Sequence, residues 1–352
     1  MSTWSRLAGL RLSLDTVDLS PRSLAVGPQF DRRTTVVRFT GAGVQGLGED
    51  VVYDAAEQER FQRSAIDWPS GEFDLAGFSE TLDRIELFER HPHQKAYLDY
   101  RRWALESAAL DLALSQAGTT LAQQLELSPR SVRFVASMGL GHPPSTDRLR
   151  GLIRQVPGSR FKLDAHSDWS ADLLGVLAQL DAIDVVDFKG AYRGTPVDTA
   201  PDAALYRRVA ELLPNAVLED PAWTEETAAA LEPYHDRVSW DAPIHSVGDV
   251  EALPIPARVL NIKPSRFGTI EALCDALDYC ARHEITMYGG GQFELDVGRL
   301  QIQTLAALFH PDGPNDVSPV TYHDADERTD LVGSPLETLK PGVESGFGLS
   351  WT

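Results

Sequence analysis

Cysteine, methionine and positive charge are all scarce in this chain. Its two cysteines, Cys274 and Cys280, lie six apart in one predicted helix among 352 residues. That spacing neither closes a disulfide easily nor builds a metal cage, so both read as thiols in a reducing compartment. Lysine and arginine total 32 against 52 acids, a net charge of −20. An acidic surface repels phosphates, which argues against nucleic acid as a partner. Nowhere does the chain reach the ~20 apolar residues of a membrane span. The N-terminus also lacks an apolar run followed by a small-residue cleavage site. A cytoplasmic protein with no membrane partner is the expectation.

What is present is ordinary for a soluble globular chain, with 43% hydrophobic and 24% charged residues. The length predicts one large domain and one smaller. Leu10–Leu14 and Thr34–Phe39 alternate with period two, and a Gly-rich segment from Gly41 to Gly48 joins the second to Glu49–Tyr53. An antiparallel meander follows from that pattern. Tyr97–Gln116 then carries apolar residues at helical spacing, with Gly118 as its stop.

From Val132 the rhythm changes. Short apolar runs near 132–137, 160–165, 184–188, 216–219, 237–241, 258–263, 285–289 and 316–320 alternate with helical patterns such as 171–180, 203–213 and 270–282. Eight such runs predict an α/β fold, a (β/α)8-type barrel behind an N-terminal α+β unit, which the family resemblance of its motifs implies is a capping domain. The cap covers 1–128, completed by the tail 325–352, whose strand-like 346–351 folds back onto it. The barrel covers 129–324.

Most of the apolar runs end in a charge. Ala216-Val217-Leu218-Glu219-Asp220-Pro221 shows it most plainly, and Val185-Val186-Asp187, Val238-Ser239-Trp240-Asp241 and Leu260-Asn261-Ile262-Lys263 repeat it. Side chains just past a buried parallel strand meet at the mouth of a barrel. Asp187, Glu219 and Asp241 would come from the third, fourth and fifth strands and repel one another unless a cation sat among them. Oxygen-only ligands suit Mg2+ or Mn2+. Lys162 on the second strand and Lys263 on the sixth would stand nearly opposite. A metal flanked by lysines suits removal of a proton alpha to a carboxylate. Asp220 reads as a neighbour of the ligands.

Several stretches match a known pattern. Gly46-Leu47-Gly48-Glu49, Glu106-Ser107-Ala108-Ala109-Leu110-Asp111, Leu218-Glu219-Asp220-Pro221, Asn261-Ile262-Lys263-Pro264, Gly289-Gly290-Gly291-Gln292-Phe293-Glu294 and Asp316-Val317-Ser318 resemble motifs of the enolase superfamily. Within it they resemble the muconate-lactonizing branch, with its o-succinylbenzoate synthases, N-acylamino acid racemases and dipeptide epimerases. The superfamily pairs Lys or His bases with Mg2+. The resemblance implies metal ligands at Asp187, Glu219 and Asp241, and Lys162 and Lys263 acting on opposite faces of a small anionic carboxylate. Lys189, Glu294, Asn261 and Arg160 would line the substrate. It is compatible with a homo-oligomer. Racemisation, epimerisation, cycloisomerisation and β-elimination all remain open.

Departures stand beside the matches. The superfamily's second-strand Lys-x-Lys appears as Arg160-Phe161-Lys162 or, one step on, as Lys162-Leu163-Asp164. The first register is preferred because it keeps a lysine in the second place. The third-strand Asp-x-Asn becomes Asp187-Phe188-Lys189. Two other readings are a Schiff-base barrel aldolase using Lys263 and a catalytically impaired superfamily member with a binding role.

Overall fold

The structure is a computed structural model that describes residues 2–27, 30–192, 197–337 and 345–348. Its first part opens with α1 (Thr3–Leu7) and β1 (Arg11–Leu14), then a meander of β2 (Thr16–Gly27), β3 (Phe30–Gly41) and β4 (Val44–Asp50). Next come α2 (Ala55–Arg63), β5 (Gly71–Asp74), α3 (Leu75–Leu82), α4 (Ala96–Ala117) and α5 (Leu121–Leu125). The meander is antiparallel in the order β2-β3-β4, and β1 pairs with β5. Helix α4 packs along β4, and Gly118 ends it in the left-handed conformation with φ 63°.

One strand here goes beyond the sequence pattern and one expectation changes. Residues 16–27 form a full strand, although Pro21 breaks the apolar pattern. β2 is the outer strand of its sheet, where a missing N–H costs no ladder bond. The Gly-rich segment is only in part a connection: Ala42 and Gly43 make the turn, and from Val44 it is β4 itself. A Cβ on Gly46 would lie 2.2 Å from the Leu112 nitrogen, and one on Gly48 would lie 2.0 Å from the Ala104 oxygen. Glycine lets the strand backbone lie directly on α4.

The second part strings β6 (Ala136–Met138), α6 (Asp147–Gln155), β7 (Phe161–Asp164), α7 (Ala171–Leu180), β8 (Ile183–Asp187), α8 (Ala203–Leu212) and β9 (Val217–Glu219). It continues with α9 (Glu225–Leu231), β10 (Val238–Trp240), α10 (Val247–Glu251), β11 (Val259–Ile262), α11 (Pro264–Phe267), α12 (Ile270–Arg282), β12 (Thr286–Gly289) and α13 (Val297–Phe309). The strands form one parallel sheet in sequence order from β6 to β12. The predicted eighth strand at 316–320 shrinks to single bridges, Phe134 with Asn315 and Gly290 with Asp316, which close the ring. Pro314 and Pro319 bracket this stretch and offer no N–H for a longer ladder. A buried Asn315 side chain ties the closure, donating to the carbonyls of Arg133, His310 and Gly313 and accepting from the Gly289 nitrogen at 2.6 Å.

One apolar core runs through both parts, from Leu12, Phe39 and Leu105 to Phe161, Leu260 and Leu277. The tail reaches the cap. Gly346 bridges Thr120, and Phe347 is buried against Trp103 with ring centroids 6.3 Å apart. The rest of the predicted tail strand, 349–351, lies outside the described residues. No helix among the described residues is long and apolar enough to cross a membrane.

Candidate active site

The ends of β7 to β11 bring charged side chains to one buried point. Asp187 closes β8, Glu219 closes β9, and Asp241 follows β10; all three side chains are fully buried. Carboxylate oxygens of Asp187, Glu219 and Asp220 lie within 4.8 Å of one another. Asp241 stands outside that set, a departure from the expected ligand trio. Its Oδ2 meets Lys263 Nζ at 2.8 Å, the Tyr192 hydroxyl at 2.8 Å and the Arg266 guanidinium at 3.4 Å. Its Oδ1 is buried with no donor. Asp220 turns through the left-handed region at φ 48°, and its two oxygens accept the backbone N–H groups of Asp241 and Ala242, each at 2.8 Å. Asp220 therefore holds the loop that carries Asp241.

Lys162 lies inside the acid cluster. Its ammonium contacts Glu219 Oε1, lies 3.2 Å from Asp187 Oδ2 and 3.8 Å from Asp316. The other Glu219 oxygen accepts the Tyr288 hydroxyl and, at 3.4 Å, the Asn261 amide. Lys189 Nζ joins Asp187 at 2.5 Å to Asp164 at 3.1 Å.

Arg160 is not brought to this point. It precedes β7, at the opposite end of the strand from Asp164, and its guanidinium is held by Asp184 at 2.9 Å, which also pairs with Arg133 at 2.7 Å. The preferred register of the second strand is thereby corrected, because the pair reaching the acid cluster is Lys162 and Asp164. A local pattern cannot distinguish the two registers, since Arg160, Lys162 and Asp164 share one alternation. Glu294 folds back on its own loop, accepting the Gln292 N–H at 2.6 Å and pairing with Arg299 at 3.2 Å.

Burial and charge set the protonation of the cluster. Burial disfavours charge on Lys162, but Glu219 and Asp187 outweigh it and hold its pKa well above the ordinary lysine value. Burial pushes Glu219 up to about 8, with Asp187, Asp241 and Asp220 adding to the rise against Lys162. Asp220 rises to about 7, through burial and then Asp241 and Asp187. Burial acts the same way on Asp187 and Asp241, but cations win there. Lys189 and Lys162 hold Asp187 below the carboxylate range, and Arg266 and Lys263 do so for Asp241.

The donor set fits a hard divalent ion. Asp164, Asp187, Glu219, Asp220, Asp241 and Asp316 face Lys162, Lys189, Lys263 and Arg266, leaving two negative charges uncompensated when all are ionised. The orphaned Asp241 oxygen is the kind of atom such an ion takes. Sequence reasoning did not single out Arg266, Tyr192 or Tyr288. Arg266 falls three residues after Lys263, on the first turn of α11, and that spacing was the available signal.

The motif residues of the cap serve to dock it. Glu49 accepts the N–H groups of Leu295, Asp296 and Gly298 at 2.6, 3.0 and 2.9 Å, holding the start of α13. Arg32 donates to the carbonyls of Val51, Val52, Gln292 and Phe293, joining the loop after β4 to the loop after β12. Asp111 accepts from the Leu47 and Phe347 nitrogens.

A parallel barrel with acids at its strand ends and a cap clamped to its seventh loop is the architecture of the enolase superfamily. The dipeptide epimerase of Methylococcus capsulatus, solved with a Mg ion, superposes with a TM-score of 0.67 over 97% of this chain and 100% of its own, at 17% identity. The N-succinylamino acid racemase of Thermus thermophilus is 25% identical over 349 residues, 92% of this chain and 88% of its own. The o-succinylbenzoate synthase of Geobacillus stearothermophilus is 24% identical over 294 residues, 80% and 76% of the two chains. These relatives support an enzyme of the proton-abstracting kind. The chain belongs to the DUF8230 family: the C-terminal domain of unknown function (DUF8230) matches residues 128–324 and its N-terminal domain matches 5–124.

Proposed function

We propose that this protein abstracts a proton alpha to the carboxylate of a small anionic acid, and that Asp187, Glu219 and Asp241 hold a divalent ion, Mg2+ or Mn2+, for that purpose. Such an ion supplies a Lewis acid for the carboxylate oxygens and for the charge that develops on them. Lys263 moves the proton. Its Nζ is set by Asp241 at 2.8 Å, and the stem is confined by Gly290, where a Cβ would come within 2.8 Å of the lysine Cε. Lys162 compensates the acids, and Asn261 and Tyr288 orient Glu219. With Lys263 as the base, β-elimination of the o-succinylbenzoate synthase kind balances on one amine, which takes the alpha proton and passes it to the leaving hydroxyl, whereas racemisation of N-succinylamino acids or epimerisation of dipeptides also needs a group that returns the proton on the opposite face. With a net charge of −20 on the chain, a small anion must be drawn in by the local positive charge of the site and not by the molecule as a whole.

The observation that carries the reading is the buried acid cluster, with its unpartnered Asp241 oxygen beside Lys263. The test is exchange of the substrate alpha proton in deuterated water, followed by proton NMR. The panel holds N-succinylamino acids, dipeptides, succinylbenzoate precursors and sugar acids, with and without Mg2+. Exchange that needs Mg2+ and disappears in Lys263→Ala is the expected result; wild-type-like exchange in Lys263→Ala would sink the assignment. The position of Lys162, sealed among Glu219 and Asp187, favours a second reading, a binding role without turnover. Tight Mg2+ binding with no exchange across the panel would select it.

A further inference from the structure

The three lysines of the site differ in how far they can be reached. The side chain of Lys162 is 2% exposed and enclosed by acids, and that of Lys263 is 8% exposed on Asp241. Lys189 is 18% exposed. Its backbone sits in the left-handed region at φ 54°, unfavourable for a lysine and the kind of outlier held in place at functional sites. Three contacts hold it there. Its N–H donates to Asp187 Oδ1 at 2.9 Å. The next residue, Gly190, lies so close to the end of β9 that a Cβ would fall 2.2 Å from the Ala222 nitrogen. The ammonium is shared between Asp187 and Asp164. Asp164 pairs in register with Asp187, so its carboxylate meets the ammonium from the adjacent strand.

We infer that Lys189 is the second substrate-facing amine of this barrel, binding the carboxylate of the substrate across the site from Lys263, and that Asp164 is its positioning residue. This rests on the proposed carboxylate substrate. Of its two acids, Asp164 is the looser partner, 3.1 Å away with a third of its side chain exposed, so a substrate carboxylate would share the ammonium on that side without displacing it from Asp187 at 2.5 Å. Lys162 then stays with the acids and does not meet the substrate.

Titration calorimetry of the full-length protein with succinate in the presence of Mg2+ tests this, with Mg2+ titrated alone in parallel. Lys189→Met is expected to weaken succinate binding about tenfold or more, the effect of one lost charge-assisted contact. Lys189→Arg should stay within about threefold of wild type. Asp164→Asn should fall between, because the amine keeps Asp187 but loses the second of its two anchors. Mg2+ affinity should change far less in all three. A second measurement covers misfolding. Amine acetylation of the wild type, read by mass spectrometry, should be slow at both lysines but faster at Lys189 than at Lys162, and slower still at Lys189 with succinate and Mg2+. Unchanged succinate binding in Lys189→Met overturns the inference. So does equal loss of Mg2+ and succinate affinity, absence of succinate binding in the wild type, or labelling of Lys162 as fast as Lys189. Succinate binding that depends on Lys189 without alpha-proton exchange would leave this inference standing and remove the proposed reaction.

Discussion

Replacing Glu49 by glutamine perturbs the clamp between cap and barrel while keeping its shape. Glu49 Oε1 accepts from the Leu295 nitrogen and the Thr34 hydroxyl; Oε2 accepts from the nitrogens of Asp296 and Gly298. A glutamine costs least with its NH2 in place of Oε1, because the Thr34 hydroxyl can turn to accept. The Leu295 N–H is then left partly buried without an acceptor, at about 1–3 kcal/mol. The two bonds at the other oxygen lose their charge assistance, at about 1 kcal/mol each. Burial of the charge opposes this, since it raises the Glu49 pKa above its ordinary value. The net is a loss of about 2–4 kcal/mol, and Glu49→Ala, which orphans all three N–H groups, should lose more. Urea unfolding gives the free energy, and hydrogen exchange at residues 295, 296 and 298 should quicken selectively. A Glu49→Gln protein within about 0.5 kcal/mol of wild type, with unchanged exchange at those amides, would refute the clamp.

Gly48→Ala should destabilise by several kcal/mol or prevent folding, because the new Cβ would lie 2.0 Å from the Ala104 carbonyl oxygen, and thermal unfolding measures it. Gly43→Ala, where nothing lies within 4 Å, should cost only the strain of a positive φ, about 1 kcal/mol. The pH dependence follows from Glu219 at about 8 and Asp220 at about 7, both above their unfolded values. The metal-free fold binds more protons than the unfolded chain between about pH 4.5 and 8, so its stability should fall as pH rises through that window. Added Mg2+ should stabilise the protein more at pH 8 than at pH 6, and a melting temperature independent of pH and Mg2+ across that range would contradict the protonation scheme. Cys280, pushed up to about 12 by burial, and Cys274, raised the same way, should resist thiol reagents until the protein unfolds.

Much of the barrel was legible because buried strands that end in acids leave a local trace. Asp187, Glu219 and Asp241 fall at the ends of consecutive strands as the runs indicated, and the helices at 171–180 and 270–282 coincide with α7 and α12. What was hidden depends on contacts between elements. Pro21 conceals β2 unless its place at a sheet edge is known. Gly46 and Gly48 look like a turn until α4 lies against them. The eighth strand reads as an apolar run, yet Pro314 and Pro319 leave room only for single bridges. The register of the second strand was undecidable locally, and the contacts of Arg160 with Asp184 and the Asp181 carbonyl show that it belongs to the far end of the barrel. Glu294 offered a motif match, and its ion pair with Arg299, five residues on, at 3.2 Å is a contact no motif shows.

Anomalous X-ray scattering from crystals grown with Mn2+ tests the site most directly. The expected map has one strong peak bound by Asp187 and Glu219, with the free Asp241 oxygen completing the set and Asp220 still on its backbone partners. A map without a peak there, with the Lys162 ammonium alone between the acids, would contradict a metal-assisted enzyme.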